Sequence, residues 1–578
     1  MSRLRLILLC LYAYLFLPSA HAALSIEVTI TGIEGELQDN VLHYLSIEQQ
    51  KNHPRMTPGR LGRLHNKATS EISEALQPFG YYSPTIQSEL KHSNDNWQVI
   101  YKVDPGPPTI VSDVNIEIIG DADAKTFFEP LIKAFPIKRL DRLVHEKYEQ
   151  GKTNLLKYGL ENGYLKARLG IHQVHVNTET QNATITLQMQ PGMRHRFGNF
   201  VFKQEGLAPD FLESFAPYKY GDYYNTDKLF ELQTALVDSG YFSQVEVRGL
   251  KEQSEDGYVP VEVTAVPLKK HRYSMGLGYG TDTGPRLKLG WKNRRINQKG
   301  HHLETDLKIS QVVDSATGRY YIPIRNPRTD FVTLTMSWEK KEPDTSKSET
   351  LLWGINQSVI QNSGWRRNLY LNYQFESFQI ENTDEFSRLF IPGISWSITE
   401  ADNRINPRRG YRILLDFRSG VGFDFATGIG TETFFLQSRI NGKLVHPMGD
   451  SGKLILRGDF GTMRAEGFEH IPASQRFFAG GDNSVRGYRY QSLAPEDGGK
   501  HLIVGSTEYE HRIKGDWSAA LFYDIGNAIT NYRDPLKEGA GIGLRWQSPV
   551  GAIRLDYAWA LSEPGTPREF HLILGPEL

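Results

Sequence analysis

The chain has 578 residues, 39% of them hydrophobic, with 66 basic against 67 acidic side chains. That length exceeds one ordinary domain, and the balanced charge removes the electrostatic case for nucleic-acid binding. A mean hydropathy of -0.45, with no run of about 18 apolar residues after the N-terminus, excludes a bundle of membrane helices. It does not exclude a membrane β-barrel, whose alternating faces average away.

Residues 1–22 read as a secretory signal peptide. Arg3 and Arg5 precede an apolar run from Leu6 to Leu17, and Pro18-Ser19-Ala20-His21-Ala22 ends in a small-x-small cleavage pattern. The single cysteine, Cys10, lies inside this segment. The exported chain is therefore expected to lack disulfides, thiol chemistry and cysteine metal sites.

The next part of the chain repeats about every 80 residues. Gly80, Gly163 and Gly240 each follow a helical pattern (Leu61 to Leu76, Leu143 to Leu160, Leu229 to Val237) and each precede an aromatic residue and alternating strand residues. A glycine there suits a left-handed helix C-cap. First strands are expected at Ser25–Thr31, Asp113–Ile119 and Arg196–Lys203. Each unit then reads as strand, two helices and two strands, an α+β module with helices on one face of a sheet. The boundaries fall at 23–106, 107–191 and 192–267. The free sheet edges suit either the addition of a partner's strand or a plain spacer role.

From 268 to 578 the helical period disappears. Segments of about 10 residues alternate apolar with polar, split by Gly, Asn, Asp and Pro turns. Ile553, Leu555, Tyr557 and Trp559 face one way; Arg554, Asp556, Ala558 and Ala560 face the other. A soluble sandwich also alternates, but here the polar face carries charges, so the apolar face needs an apolar medium. About 16 such strands lie between Tyr273 and Leu574. The expected fold is therefore a set of α+β modules followed by a 16-stranded antiparallel transmembrane β-barrel.

One connection in the barrel is long, from near Met463 to His501, and long loops in compact architectures usually carry function. It contains Gly480-Gly481-Asp482-Asn483-Ser484-Val485-Arg486-Gly487-Tyr488. On the following strands Glu508, Phe522 and Asp524 share the lumen-facing parity. A loop folded into the lumen would bring Arg486 to these carboxylates, where a guanidinium pairs with geometric specificity; Glu508, Phe522, Asp524 and Gly526 are the expected loop-pinning partners. An external loop with solvated charges is the alternative.

The string Val485-Arg486-Gly487-Tyr488 resembles the loop signature of the BamA/TamA superfamily of outer-membrane assembly factors. Phe522-Tyr523-Asp524-Ile525-Gly526 resembles its F-x-D-x-G strand motif, with Gly526 closing it. The upstream modules look like POTRA modules, and three of them before a 16-stranded barrel are most similar to the TamA branch. The resemblance implies a bacterial outer-membrane protein with periplasmic modules, embedded in the lipid bilayer. It implies a labile lateral seam between the first and last barrel strands, here Tyr273, Gly276, Gly278 and Gly280 against Phe570, Leu572 and Leu574. It further implies unfolded outer-membrane and autotransporter client strands as substrates, and a TamB-like inner-membrane partner contacted through the modules.

Other classes are a polypeptide-secreting transporter of the two-partner type, a passive channel and an outer-membrane enzyme. No Gly-x-Ser-x-Gly, His-Glu-x-x-His or phosphate loop is present. No catalytic, cofactor or metal residues are expected, and the chain is read as a non-enzyme.

Overall fold

The structure is a computed structural model that describes residues 24–574 except 94–95, 344–345, 381–382, 404–405, 425–428, 496 and 549–550. The expected signal peptide at 1–22 lies outside the described residues.

Three small sheets come first. β1 (Ser25–Thr31), β2 (Thr85–Ser93) and β3 (Asn96–Asp104) pair in the order β1-β3-β2. β1 runs parallel to β3 and β2 antiparallel to it. A parallel pair needs a long crossover, and the helices supply it. These are α1 (Glu36–Tyr44), α2 (Ser46–Gln50) and α3 (Pro58–Leu76). One more helix is present than the sequence pattern implies, because the buried Leu45 adopts extended backbone and splits the first segment in two. α3 starts where physics favours a start. The Thr57 hydroxyl accepts from the Arg60 amide at 3.3 Å, and Pro58 occupies the first turn. Its Leu61, Ala68, Ile72 and Leu76 recur on one face and pack onto Val99, Tyr101 and Val103 of the sheet.

The second sheet repeats the plan. It comprises β4 (Ile110–Ile118), β5 (Arg168–Asn177) and β6 (Asn182–Gln190) in the order β4-β6-β5, with helices α4 (Ala122–Lys133) and α5 (His145–Glu161). β4 begins three residues ahead of the expected Asp113: Ile110 pairs with Asn182, and its neighbour Val111 is fully buried. The third sheet comprises β7 (Arg196–Lys203), β8 (Phe242–Gly249) and β9 (Tyr258–Pro267) in the order β7-β9-β8, with α6 (Pro209–Glu213) and α7 (Thr226–Asp238). Gly80, Gly163 and Gly240 all have left-handed φ angles, 86°, 97° and 73°.

Sixteen consecutive antiparallel strands then form a closed barrel. They are β10 (His271–Gly280), β11 (Gly284–Asn293), β12 (His302–Ser310), β13 (Val313–Pro323), β14 (Phe331–Lys341), β15 (Ser346–Ile360), β16 (Arg366–Ile380) and β17 (Thr383–Ala401). The series continues with β18 (Gly410–Asp424), β19 (Ile429–Met448), β20 (Gly452–Glu466), β21 (His501–Lys514), β22 (Trp517–Ile529), β23 (Lys537–Ser548), β24 (Gly551–Ala560) and β25 (Arg568–Leu574). A bilayer-spanning strand needs about 9–11 residues. β10 has 10, β19 in the middle of the series has 20, and the described part of β25 has only 7. Among the described residues β25 is the shortest strand of the ring. Leu334, Met336, Leu521 and Ile542 lie on the exposed outer face.

Candidate functional site in the barrel lumen and at its closure

β20 extends to Glu466, beyond the expected Met463, and the connection from Gly467 to Lys500 folds inside the barrel. It carries its own scaffold. Backbone bridges join Phe477 to Gly499 and Ala479 to Leu493. The Arg476 guanidinium donates to three carbonyls at once, Ile471 at 2.8 Å, Asp497 at 2.5 Å and Glu469 at 2.6 Å. Each of these acceptors would otherwise be an unpaired carbonyl in a partly dry lumen. Phe477, Ala479, Val485, Tyr488 and Leu493 of the loop form one apolar core with Phe435, Met463, Leu502, Val504 and Ala560 of the wall. Burial of this apolar surface drives the loop inward. On another part of the wall, Glu376 accepts from the Ser474 amide at 3.2 Å, and Gln437 donates to the Gln475 carbonyl at 2.7 Å.

Arg486 sits at the loop tip, 2% exposed. Its Nε and Nη2 donate to the two carboxylate oxygens of Asp524 at 2.7 and 2.9 Å, and its own backbone N–H reaches the same carboxylate at 3.1 Å. Nη1 reaches Glu508 at 2.6 Å and Asp556 at 3.2 Å. The guanidinium lies over the Phe522 ring, 3.4 Å from its centroid. Glu508, Phe522 and Asp524 therefore surround Arg486. Gly526 does not act on the guanidinium: it stands in the wall opposite Val504, where an added Cβ would come within 2.5 Å of the Ile503 carbonyl.

The sequence pattern did not single out Arg545. It donates to Glu508 at 2.6 Å and to Asp556 at 2.5 Å, and lies 3.3 Å from Glu510. Two buried arginines thus bridge a group of buried carboxylates. Neither arginine alone balances that negative charge, and buried charges are tolerable only when paired. The one sequence signal was a cation on the lumen parity of β23, among glycines 541 and 543.

Two glycines make the close approach possible. Gly487 has φ 92°, and a Cβ on it would come within 2.9 Å of the Trp559–Ala560 backbone. Gly539 leaves room for the Arg486 carbonyl, into which a Cβ would project. Val485 is fully buried, and the Tyr488 hydroxyl donates to the Glu538 carbonyl at 3.2 Å.

At the ring closure, β10 pairs with β11 over all 10 of its residues. Among the described residues its other edge meets β25 at a single register pair, Gly280 with Ile573. Three further bonds flank that pair. The Thr281 amide donates to the Leu572 carbonyl at 3.1 Å, the Leu572 amide to the Thr281 hydroxyl at 3.0 Å, and Arg286 to the Leu574 carbonyl at 3.4 Å. Tyr273, Gly276 and Gly278 have no strand partner on this edge among the described residues. Tyr273 and Leu277 are 76% and 79% exposed, and Phe570 of β25 is 61% exposed.

A second unforeseen group ties the loop to this closure. Asp482 of the loop bonds His571 of β25 at 2.7 Å and Thr281 at 3.0 Å, and its amide donates to Asp282 at 2.7 Å. The Gly487 amide donates to His571 Nε2 at 3.0 Å, so Nδ1 carries the proton that bonds Asp482. Burial, reinforced by the neighbouring Asp482 carboxylate, pushes the Asp282 carboxyl up to about 7. Asp282, Asp482 and His571 offer ligand atoms within 4.8 Å of one another, and hydrogen bonds account for the grouping. Nothing in the local sequence marks His571, since a short strand with alternating residues gives no sign of what crosses it.

A family model described as the Omp85 superfamily domain matches residues 270–577. A second, described as POTRA domain TamA domain 1, matches residues 27–105. Outer membrane protein assembly factor BamA of Nitratidesulfovibrio vulgaris is 23% identical over 59% of this chain and 46% of its own length. That of Neisseria meningitidis is 21% identical over 74% of this chain and 63% of its own length. The chain thus spans about half to two thirds of these curated relatives. Among solved structures, BamA from Haemophilus ducreyi lacking POTRA domains 1-3 aligns with a TM-score of 0.68 at 15% identity, covering 81% of this chain and 99% of that one, which shows a shared fold.

Proposed function

The chain belongs to the Omp85 superfamily, and on that footing we propose that it is an outer-membrane assembly factor that inserts and folds β-barrel and autotransporter proteins through the gap between β10 and β25. The observation that carries this reading is that, among the described residues, Gly280–Ile573 is the single pair on this edge of β10. An unpaired strand edge is a row of free donors and acceptors, and an incoming extended segment satisfies them by strand addition. Within the hydrocarbon region such an edge is costly, so the same feature that destabilises the idle barrel favours a client strand. The strand would zip along His271–Tyr279 and start its own barrel there. The Arg486 loop is folded into the lumen and packed on its wall, which supports lateral insertion over passage of an unfolded chain through the pore.

The match of residues 27–105 to the first POTRA domain of TamA supports a finer reading: a TamA-type protein whose modules engage a TamB-like partner anchored in the inner membrane. In this reading the modules stand in the periplasm, and the protein works without enzymatic chemistry. Photo-crosslinkers placed at Tyr273 and Leu277 in β10 test the insertion function. They should capture a nascent barrel protein during its assembly, whereas a probe on the outward face of β14, such as Met336, should not. Equal capture at both places would overturn the reading. Co-purification of a TamB-like protein with the full chain but not with a form lacking residues 27–105 tests the partner.

A further inference from the structure

The connection between α4 and α5 of the second module holds a leucine in a conformation that leucine rarely adopts. The turn Lys138-Arg139-Leu140-Asp141 is fixed by its own hydrogen bonds. The Leu140 amide donates to the Val111 carbonyl at 2.8 Å, the Val111 amide to the Asp141 carbonyl at 2.9 Å, and the Asp141 amide to the Lys138 carbonyl at 3.1 Å. The Lys138 amide donates to the Asp141 carboxylate at 2.8 Å. These bonds hold Leu140 at φ 75°, with its side chain 74% exposed. The third module builds the same turn from Lys219-Tyr220-Gly221-Asp222. There the Gly221 amide donates to the Phe197 carbonyl at 2.9 Å, the Phe197 amide to the Asp222 carbonyl at 2.8 Å, and the Lys219 amide to the Asp222 carboxylate at 3.0 Å. Gly221 has φ 87°. Glycine adopts that conformation freely, and a bulky side chain there is an outlier. Single exposed apolar residues are ordinary on a protein surface. What sets Leu140 apart is the backbone: the second module carries a leucine where the third makes the same turn without strain. Strain of this kind persists where the surrounding bonds impose it, and it concentrates at binding sites. Lys138 and Arg139 flank the leucine, exposed and without an ion-pair partner among the described residues.

We infer that Leu140 is a docking knob for the unfolded chains of client proteins, and that Lys138 and Arg139 select segments carrying carboxylates. This rests on the assembly function proposed above and adds a first contact made on the modules. The turn offers one apolar side chain among charged neighbours. That is far less than the area of about 1,000 Å² a stable interface with a folded partner needs. An unfolded chain, by contrast, leaves apolar side chains uncovered, and one of them can shelter against Leu140. The turn is already rigid, so it loses little entropy on contact. Opposite charge steers the encounter and rejects basic segments. A contact of one apolar side chain is weak, so the client is held and released on its way to β10 and is not trapped.

The test uses the full chain in phospholipid nanodiscs, with a photo-crosslinker in place of Arg139. The probe is a fluorescently labelled, urea-unfolded outer-membrane barrel protein of net negative charge, diluted out of denaturant. Capture should saturate with the unfolded probe and be absent with the same probe once folded. In Leu140→Gly the half-saturating concentration should rise roughly tenfold, the effect of one apolar side chain. That variant relieves the left-handed backbone, so hydrogen exchange within 138–143 should be no faster than in the wild type, which separates lost docking from an unfolded turn. Leu140→Asn, a residue that also tolerates the left-handed region, should weaken capture in the same direction. Lys138→Gln should weaken capture of the acidic probe and reduce its dependence on salt. Equal half-saturation in the wild type and Leu140→Gly, or capture of a second copy of this chain in place of the probe, overturns the proposal. Capture that depends on Leu140 without any assembly of the probe at the barrel would keep the docking site and overturn the assembly reading alone.

Discussion

His571 on the last barrel strand accepts the backbone N–H of Gly487 at 3.0 Å, which bonds the tip of the lumen loop to the strand that closes the ring. The loop and the closure are therefore one mechanical unit. His571→Ala would strand the Gly487 amide and remove a partner of Asp482. Each buried polar group left unpaired costs about 1–3 kcal/mol. Hydrogen exchange should speed up in 568–574 and 482–488 together; acceleration in only one segment would show that they are not coupled.

Arg486→Ala should be far more damaging than its place on a loop suggests. It leaves Asp524 and Glu508 facing each other with only Arg545 and the distant Arg457 for compensation, and breaking a buried pair in this way costs about 3–5 kcal/mol. Arg486→Lys should fail to rescue, because one ammonium does not span the Asp524 fork and reach Glu508 as well. The expected readout is protease cleavage within 476–490 in both variants, with the barrel still inserted.

Two glycine substitutions separate the loop from the edge strand. Gly487→Ala meets both a left-handed φ and the Trp559–Ala560 backbone, so it should lower the unfolding temperature and free the loop, at a strain of about 1–3 kcal/mol. Gly276→Ala meets nothing nearer than the Lys288 Cβ at 4.0 Å. It should change stability by no more than about 0.5 kcal/mol. Comparable losses in the two variants would give Gly276 a role beyond its immediate surroundings.

Gly280→Cys with Ile573→Cys should form a disulfide. The two residues are register partners, which places their Cα atoms about 4.5–5.5 Å apart, within the range a disulfide accepts. Oxidation should arrest client assembly, and a reductant should restore it. Full activity of the oxidised protein would place the client's point of entry elsewhere.

The joint between the first two modules should respond to acid. Burial holds His145 below its usual pKa, and its Nε2 lies 2.6 Å from the Tyr82 hydroxyl. The folded state thus disfavours the protonated imidazole. Its contribution is fully present above the unfolded value of about 6.5 and is lost as the pH falls below it. Exchange of amides around 80–82 and 143–148 should rise between pH 7 and 5, and His145→Gln should flatten that dependence.

The barrel was readable because a two-residue period sustained over so many strands, with charges on the inner face, fits a closed membrane sheet and little else. Arg486 and Asp524 were readable because a cation on a glycine-rich tip and a lumen-parity carboxylate need each other. Arg545 and His571 were not readable. Their partners are set by how far the wall curves inward and where the loop crosses it, and a local pattern does not encode either. The split of the first helical segment at Leu45 was hidden for a similar reason: propensity favoured a continuous helix, and burial of one side chain overrode it.

A ring whose joints are all equal opens at random under load. Among the described residues this one has fifteen long joints and one held by a single residue pair and a few flanking bonds, so under the proposed function it would yield at the same place whether the pull came from the bilayer, from the modules or from a client. Reproducible opening then needs no device to choose the site. What remains to be controlled is timing, and the loop bonded across that joint through Asp482 and His571 is placed to set it.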